Sequence, residues 1–307
     1  FSAVQSTTVP SGQGFYKSIH ISPTSTKSPS GSTYFFTSHY VEGFNMGHLD
    51  WGNSGAKTVT VSFWVRSSKT GIYSMGMKNA GATRSRQQEY TISAANTWEK
   101  KTITVTGETS GSWPVDNTRG IAIDFCLAGS ASATGTVGSW ISANSNMSTN
   151  QVNFFDSTSN NFYITGVQLE VGSAATDFEH LSFGEELSLC QRYYADTRSG
   201  GSSYGGISIT RSVYAQKAYG FTAFPVEMRA RPAVTFYDGS GNSGALTENG
   251  AGHNRACTAE AHSKHGINGA SSTGGGTGHF SQAAGAGYHL MGTYTAVSYT
   301  HLRAHET

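Results

Sequence analysis

The chain, 307 residues long, predicts an all-β fold whose main body is an antiparallel β-sandwich. Three observations predict it. Short segments alternate apolar and polar residues with period two. Turns rich in Gly, Ser and Asn separate those segments, and no helical crossover joins them. Aromatic residues reach 12% while charged residues stay at 13%, which argues against a disordered chain and supplies large side chains to a core.

Weaker strand signals come first, at residues 14–21 and 34–40. The first strong one is TVTVSFWVRS, residues 58–67, where Val59, Val61, Phe63 and Val65 alternate with Thr60, Ser62, Trp64 and Arg66. That pattern predicts a half-buried strand with a polar outer face. Residues 88–92 place Tyr90 and Ile92 together, and residues 101–106 pair Ile103 with Val105. Residues 120–127 align Ile121, Ile123, Phe125 and Leu127. Residues 161–171 put Tyr163, Val167, Leu169 and Val171 on one face. Turn-forming stretches such as 53–55 and 107–112 lie between.

Ser182 and Glu185 then have the spacing of a capping box. Phe183, Leu187, Cys190 and Tyr194 follow at helical spacing, so 183–194 is predicted as a short amphipathic helix. Arg198 to Ser203 has the composition of a flexible linker. Residues 205–296 read as a smaller Gly-rich β domain with strands near 218–224, 233–237 and 288–294. Pro225 and Pro232 belong at strand starts or edges. The predicted division is a sandwich over 1–180, helix and linker over 181–204, and the Gly-rich domain over 205–296.

The three cysteines, Cys126, Cys190 and Cys257, are odd in number and widely spaced. They form neither a disulfide framework nor a zinc knuckle, and fit folding in a reducing cytoplasm. No apolar run reaches the roughly 18 residues of a membrane span, so no membrane insertion is expected. Twenty basic residues face nineteen acidic ones, for a net charge of +1. The small group Lys78, Arg84 and Arg86 is no basic stripe, so nucleic acid is not an expected partner. The start at Phe1 reads as a truncated N-terminus. VSYTHLRAHET, residues 297–307, resembles a translated sequencing-library adapter, a contaminant of metagenomic assemblies, and is expected to lie outside the fold.

The stretch ITGVQLEVGSAATDFEHLSFGEELSLCQRYY, residues 164–194, carries a pattern of the form QLE-x-G-x-x-A-T-x-F-E followed by GEEL-x-LCQRYY. It resembles a segment of tail-fibre and virion structural proteins of marine bacteriophages. Residues 57–74, 90–113 and 224–237 resemble the same proteins. Asp177 and Leu181 depart from the pattern, which bears on local turn geometry. The resemblance spans about residues 12–240. It implies a galactose-binding-like, carbohydrate-binding jelly roll, a location in the virion after assembly in the host cytoplasm, and a homotrimer. It also implies host cell-surface glycan and other tail proteins as partners, and a role in host recognition.

Sugar binding calls for flat aromatic faces together with a few polar groups that meet hydroxyls. Trp64 and Arg66 on a polar strand face, Tyr73, Arg84 and Arg86 in or near a loop, and Trp113 and Trp140 in Gly/Ser-rich surroundings are the candidates. For Trp64, and for Trp98, the plainer alternative is packing within the sandwich; for Trp113 and Trp140 it is loop packing or a subunit contact. A structural calcium would draw on Asp116 and Asp124, with Asp50 and Glu170 also available. His253, Cys257, His262, His265 and His279 match no standard zinc spacing, and the histidines read as exposed polar residues. Catalytic motifs are missing: no G-x-S-x-G, no H-E-x-x-H, no phosphate-cradling loop. Glu185 and Glu186 suit the positive end of their helix. The chain is therefore expected to be no enzyme. The alternatives are a carbohydrate-binding module of a secreted microbial enzyme and a tail-associated glycan hydrolase, which would need facing carboxylates.

Overall fold

The computed structural model describes residues 1–196, 207–214, 217–238, 240, 242–248, 254–260, 262–272 and 287–297. The fold is all-β, as the alternation predicts. It divides into two units, Phe1–His180 and Leu181–Thr300.

The first unit holds β1 (Ser2–Ser6), β2 (Ser18–Ser22), β3 (Tyr34–Glu42), β4 (Val59–Ser67), β5 (Gly71–Asn79), β6 (Ser85–Ile92), β7 (Glu99–Val105), β8 (Arg119–Gly129) and β9 (Phe162–Val171). They form a five-stranded sheet in the order β1-β2-β9-β4-β7 and a four-stranded sheet in the order β3-β8-β5-β6. Every described pairing in both sheets is antiparallel. Val59, Val61, Phe63, Val65, Ile164 and Leu169 from one sheet meet Met75, Met77, Ile121, Ile123, Phe125 and Leu127 from the other in one buried core. β5 was not among the predicted strands. Its Met, Gly, Lys and Asn residues have weak strand preference, yet it sits between β8 and β6, with Tyr73, Met75 and Met77 alternating into the core.

The loop 130–152 lies over the outer face of the four-stranded sheet and buries polar groups there. Asp124, fully buried, pairs with Lys78 at 2.7 Å and accepts a hydrogen bond from Ser38. Lys78 also donates to Asn146 at 2.6 Å, and the Gln87 amide donates to the Ser145 carbonyl at 2.7 Å. Gly76 permits this approach, because a Cβ there would stand 2.9 Å from the Asn146 carbonyl oxygen.

The second unit opens with α1 (Phe183–Gln191) and its capping box: Ser182 receives the Glu185 amide, and Glu185 reaches back to the Ser182 amide. The helix is three residues shorter than the spacing predicts, and its apolar residues are not buried: Phe183 and Leu187 are exposed. β10 (Tyr194–Asp196), β11 (Ile207–Tyr214), β12 (Lys217–Ala223), β13 (Ala233–Tyr237), β14 (Ala245–Glu248), β15 (Asn254–Glu260), β16 (Gly266–Ser272) and β17 (Gly287–Val297) follow. β17 pairs with β10, β11, β13 and β14. A small core gathers Phe224, Met228, Phe236, Leu246, Cys257 and Ile267. Val297 ends β17 opposite Tyr194 and Ala233; the rest of the adapter-like tail and the whole of the predicted linker lie outside the described residues. Among the described residues no helix is long and apolar enough to cross a membrane.

Candidate sugar-binding face

The outer face of the five-stranded sheet has two halves. Over one half, the segment 172–180 folds back as a strap. Thr60 and Thr104 donate to the carbonyls of Gly172 and Ser173 at 2.8 and 3.2 Å. Glu170 accepts the Thr176 amide at 3.1 Å and the Thr176 hydroxyl. The Gln168 side-chain oxygen accepts the Glu179 amide at 2.9 Å. Burial works to raise the Glu170 pKa, but hydrogen bonds from Gln168 and Thr176 and the charge of Lys100 outweigh it and hold the carboxyl below its usual range. The polar residues Thr60, Ser62, Gln168 and Glu170 are thereby buried. This is a correction to the open polar face expected of β4. It also gives the QLE and Thr176 positions of the phage-like segment a structural role.

The other half is open. At Gly166 the pairing of β9 with β4 shifts: Ser62 faces Gln168, but Trp64 faces Thr165. Gly166 takes the left-handed conformation at φ 59° that such a bulge requires. One inserted residue reverses the side-chain phase. Val167 and Leu169 point inward on one side of the bulge, Phe162 and Ile164 on the other. Tyr163 therefore turns outward, opposite the face predicted for it.

Tyr163 is the centre of a row across the sheet. His20 on β2 stacks on it at 4.3 Å between ring centroids and 9° between planes, and His20 is fixed in turn by Asn161 at 2.8 Å. The Arg66 guanidinium lies over the same ring, 5.1 Å from its centroid, with Nε donating to the Asn96 carbonyl at 2.7 Å. Trp98 approaches Tyr163 at 6.2 Å. Trp64, two residues from Arg66 and on the same face, is registered between Thr165 and the exposed Lys100. His20, Trp64, Arg66, Trp98 and Tyr163 are all half-buried, so part of each side chain is reachable from solvent.

The remaining predicted candidates lie elsewhere. Tyr73 belongs to the core, not to a loop: it is fully buried. Its hydroxyl is held by Ser67 at 3.1 Å and the Lys69 carbonyl at 3.0 Å, and burial pushes its pKa up to about 12. A ring without exposed surface cannot stack on a sugar. Trp113 and Trp140 pack edge-to-face with each other and with Trp51 at 4.9–5.6 Å. Their indole N–H groups donate to the carbonyls of Ser110 and Thr106, so loops 107–113 and 140 use them as packing. Arg84 belongs to the same place: Nη2 and Nε hold the buried Glu108 at 2.7 and 3.2 Å. Arg86, on β6, is half-buried with its pKa lowered by burial, against the raising effect of Glu108. Sequence reasoning missed His20, Trp98, Lys100 and Tyr163 as members of one surface.

The carboxylates read as calcium candidates have protein partners. Asp124 is engaged by Lys78 and Ser38, Glu170 by the strap, Asp116 by the Thr118 amide at 2.8 Å, and Asp50 by Asn53 at 2.8 Å. Among the described residues, no group of three or more His, Cys, Asp or Glu side chains is placed to hold a metal ion. Cys257 is a core residue, its thiol pushed up to about 12 by burial. His262 is half-buried with its ring against the Pro232 carbonyl at 2.8 Å. His265 is exposed, and His253 and His279 lie outside the described residues.

No family model and no curated protein matches the chain. Among solved structures it is similar to the enzymatically active domain of tailspike protein 4 of bacteriophage CBA120, at 12% identity and TM-score 0.30, over 55% of this chain and 18% of that one. It is similar to a CBM4 carbohydrate-binding module at 13% identity and TM-score 0.28, over 51% of this chain and 83% of that one. A third likeness is to the PBSX exported protein XepA, at 12% identity and TM-score 0.18, over 87% and 84%. Likenesses this loose carry no functional weight.

Proposed function

We propose that this chain is a glycan-binding β-sandwich protein of a bacteriophage tail fibre, engaging host surface sugar through the open half of its five-stranded sheet. The observation that carries the binding part is the row of His20, Tyr163, Arg66, Trp64 and Trp98. His20, Arg66 and Trp98 stack on or brace Tyr163, Trp64 stands beside them on the same face, and all five are left half-open to solvent. A sugar ring covers such a face with its C–H groups, and polar groups at the rim orient it. The virion part rests on the phage-like segments at 57–74, 90–113, 164–194 and 224–237. A shallow site of this kind binds weakly, and linked copies in a homotrimer raise the effective concentration of the second and third contacts.

The test is a glycan array probed with the full chain and with Trp64→Ala/Tyr163→Ala. Wild type is expected to retain at least one class of glycan, and the double variant to lose roughly tenfold or more in affinity, as centrally placed aromatic contacts do. Both proteins must give the same far-ultraviolet circular dichroism. No glycan retained by wild type, or retention unchanged in the folded double variant, overturns the reading.

A further inference from the structure

We infer that the ligand of this face is an anionic glycan, one bearing carboxylate or sulfate groups; the inference rests on the glycan reading above and names its chemical class. The argument is the hydrogen-bonding capacity of the row. Arg66 spends Nε on the Asn96 carbonyl and sets its guanidinium carbon 5.1 Å from the centroid of the Tyr163 ring. Among the described residues its two terminal nitrogens, Nη1 and Nη2, have no protein partner. Those two nitrogens form the fork that receives the two oxygens of a carboxylate or a sulfate side by side. Guanidinium orientation is already fixed by the Asn96 bond and the ring beneath it, so little rotamer freedom is lost on binding.

The other side chains of the row point to the same class. Trp64 and Trp98 offer indole N–H donors and no acceptor, and neither has a protein partner among the described residues. Lys100, registered beside Trp64, is exposed; it makes a 3.5 Å contact with the Thr176 carbonyl, and its charge also acts on Glu170 under the strap. The Asn161 side-chain oxygen is taken by His20, and the Thr165 hydroxyl donates to the Lys17 carbonyl. No carboxylate stands in the row. A neutral sugar presents hydroxyls that donate as well as accept, and its sites need acceptors to match. Beside the acceptors it does hold, the Tyr163 hydroxyl and the second ring nitrogen of His20, the row offers two cations and two indole donors, and that excess of donors favours an acceptor-only group. Since the whole chain carries a net charge of only +1, such selectivity would come from this local arrangement rather than from a general attraction to polyanions.

The experiment uses the full chain in affinity electrophoresis and calorimetry against two matched pairs. Polygalacturonate and its fully methyl-esterified form share a backbone and differ in that each carboxylate is replaced by an uncharged methyl ester. Dextran sulfate and dextran differ only in sulfate. The anionic member of at least one pair is expected to bind about tenfold tighter or more, and raising salt is expected to weaken it. The pair that discriminates tells carboxylate from sulfate. Arg66→Gln is expected to erase the discrimination, and Arg66→Lys, which keeps the charge without the fork, to restore it only in part. If wild type binds both members of each pair equally, or if Arg66→Gln leaves the preference intact, the anionic inference fails while the glycan reading stands. If wild type binds none of the four polymers and no glycan on the array, the glycan reading fails and takes this inference with it.

Discussion

Replacing Gly166 by Ala tests the bulge on which the candidate face depends. Two costs can be worked from the structure. At φ 59° an L-residue brings its Cβ too close to the backbone, at about 1–2 kcal/mol. The new Cβ would also stand 2.4 Å from Cζ of Phe15, so that ring must move off its contacts with Phe178 at 5.0 Å and His180 at 5.2 Å. Weakening those contacts adds about 1–2 kcal/mol. The sum, about 2–4 kcal/mol, lowers the melting temperature of a unit this size by about 5–12 °C. The chain has two units, so a single global transition is not a safe measure. Intrinsic tryptophan fluorescence avoids the difficulty: Trp51, Trp64, Trp98, Trp113 and Trp140 are the five tryptophans of the chain, and all lie in the first unit. The same substitution made in a Phe15→Ala background removes the obstacle and leaves only the backbone cost, about 1–2 kcal/mol. An unchanged melting temperature refutes the left-handed bulge. An equal cost in both backgrounds refutes the Phe15 contact.

Two further outcomes follow from the buried polar groups. Lys78→Met leaves the Asp124 carboxylate, fully buried, without its ion-pair partner, and is expected to cost about 3–5 kcal/mol in urea unfolding; Lys78→Met/Asp124→Asn is expected to recover a good part of that loss, and a smaller effect in the single variant than in the double one counts against a buried pair. The strap should loosen in acid, because the folded pKa of Glu170 lies below the ordinary glutamate value of 4.5: its stabilisation is present above 4.5 and is lost as pH falls through the lower folded value. Hydrogen-exchange protection factors at Thr176 and Glu179 are expected to fall over that window in wild type and to stay flat with pH, at a lower level, in Glu170→Gln.

The fold class was legible because alternation survives wherever a strand keeps one register with a neighbour, as β4 does with β7 and β8 with β5. It was not legible where a strand changes phase. Read as one series, Tyr163, Val167, Leu169 and Val171 share a parity and suggest a single buried face. Phe162 and Ile164 have the opposite parity, and Gly166 separates the two sets. An isolated glycine within a strand pattern is a signal of a bulge, so the sequence held the information needed to turn Tyr163 outward. No local pattern held the rest. His20, Trp98 and Lys100 join Tyr163 through the strand order β2-β9-β4-β7, which is a long-range property of the sheet. Tyr73 was misplaced for the related reason that β5, weak in strand-forming residues, looked like loop.

The outer face of the five-stranded sheet also inverts the usual inference from polarity. Its polar residues, Thr60, Ser62, Gln168 and Glu170, are the buried ones, and the strap supplies partners to three of them: a carbonyl to Thr60, the Glu179 amide to Gln168, and the Thr176 amide and hydroxyl to Glu170. Its aromatic residues are the open ones. Solitary exposed aromatics need no explanation, but here three ring-bearing strands and a loop converge on one patch, and the contacts within it fix ring planes and an arginine fork rather than closing the surface. Extending the strap's cover would have removed aromatic area from water at a gain of about 25 cal/mol per Å². A fold that covers the polar half of a face and leaves the aromatic half open forgoes that gain, and a ligand that stacks on the rings would recover it on binding.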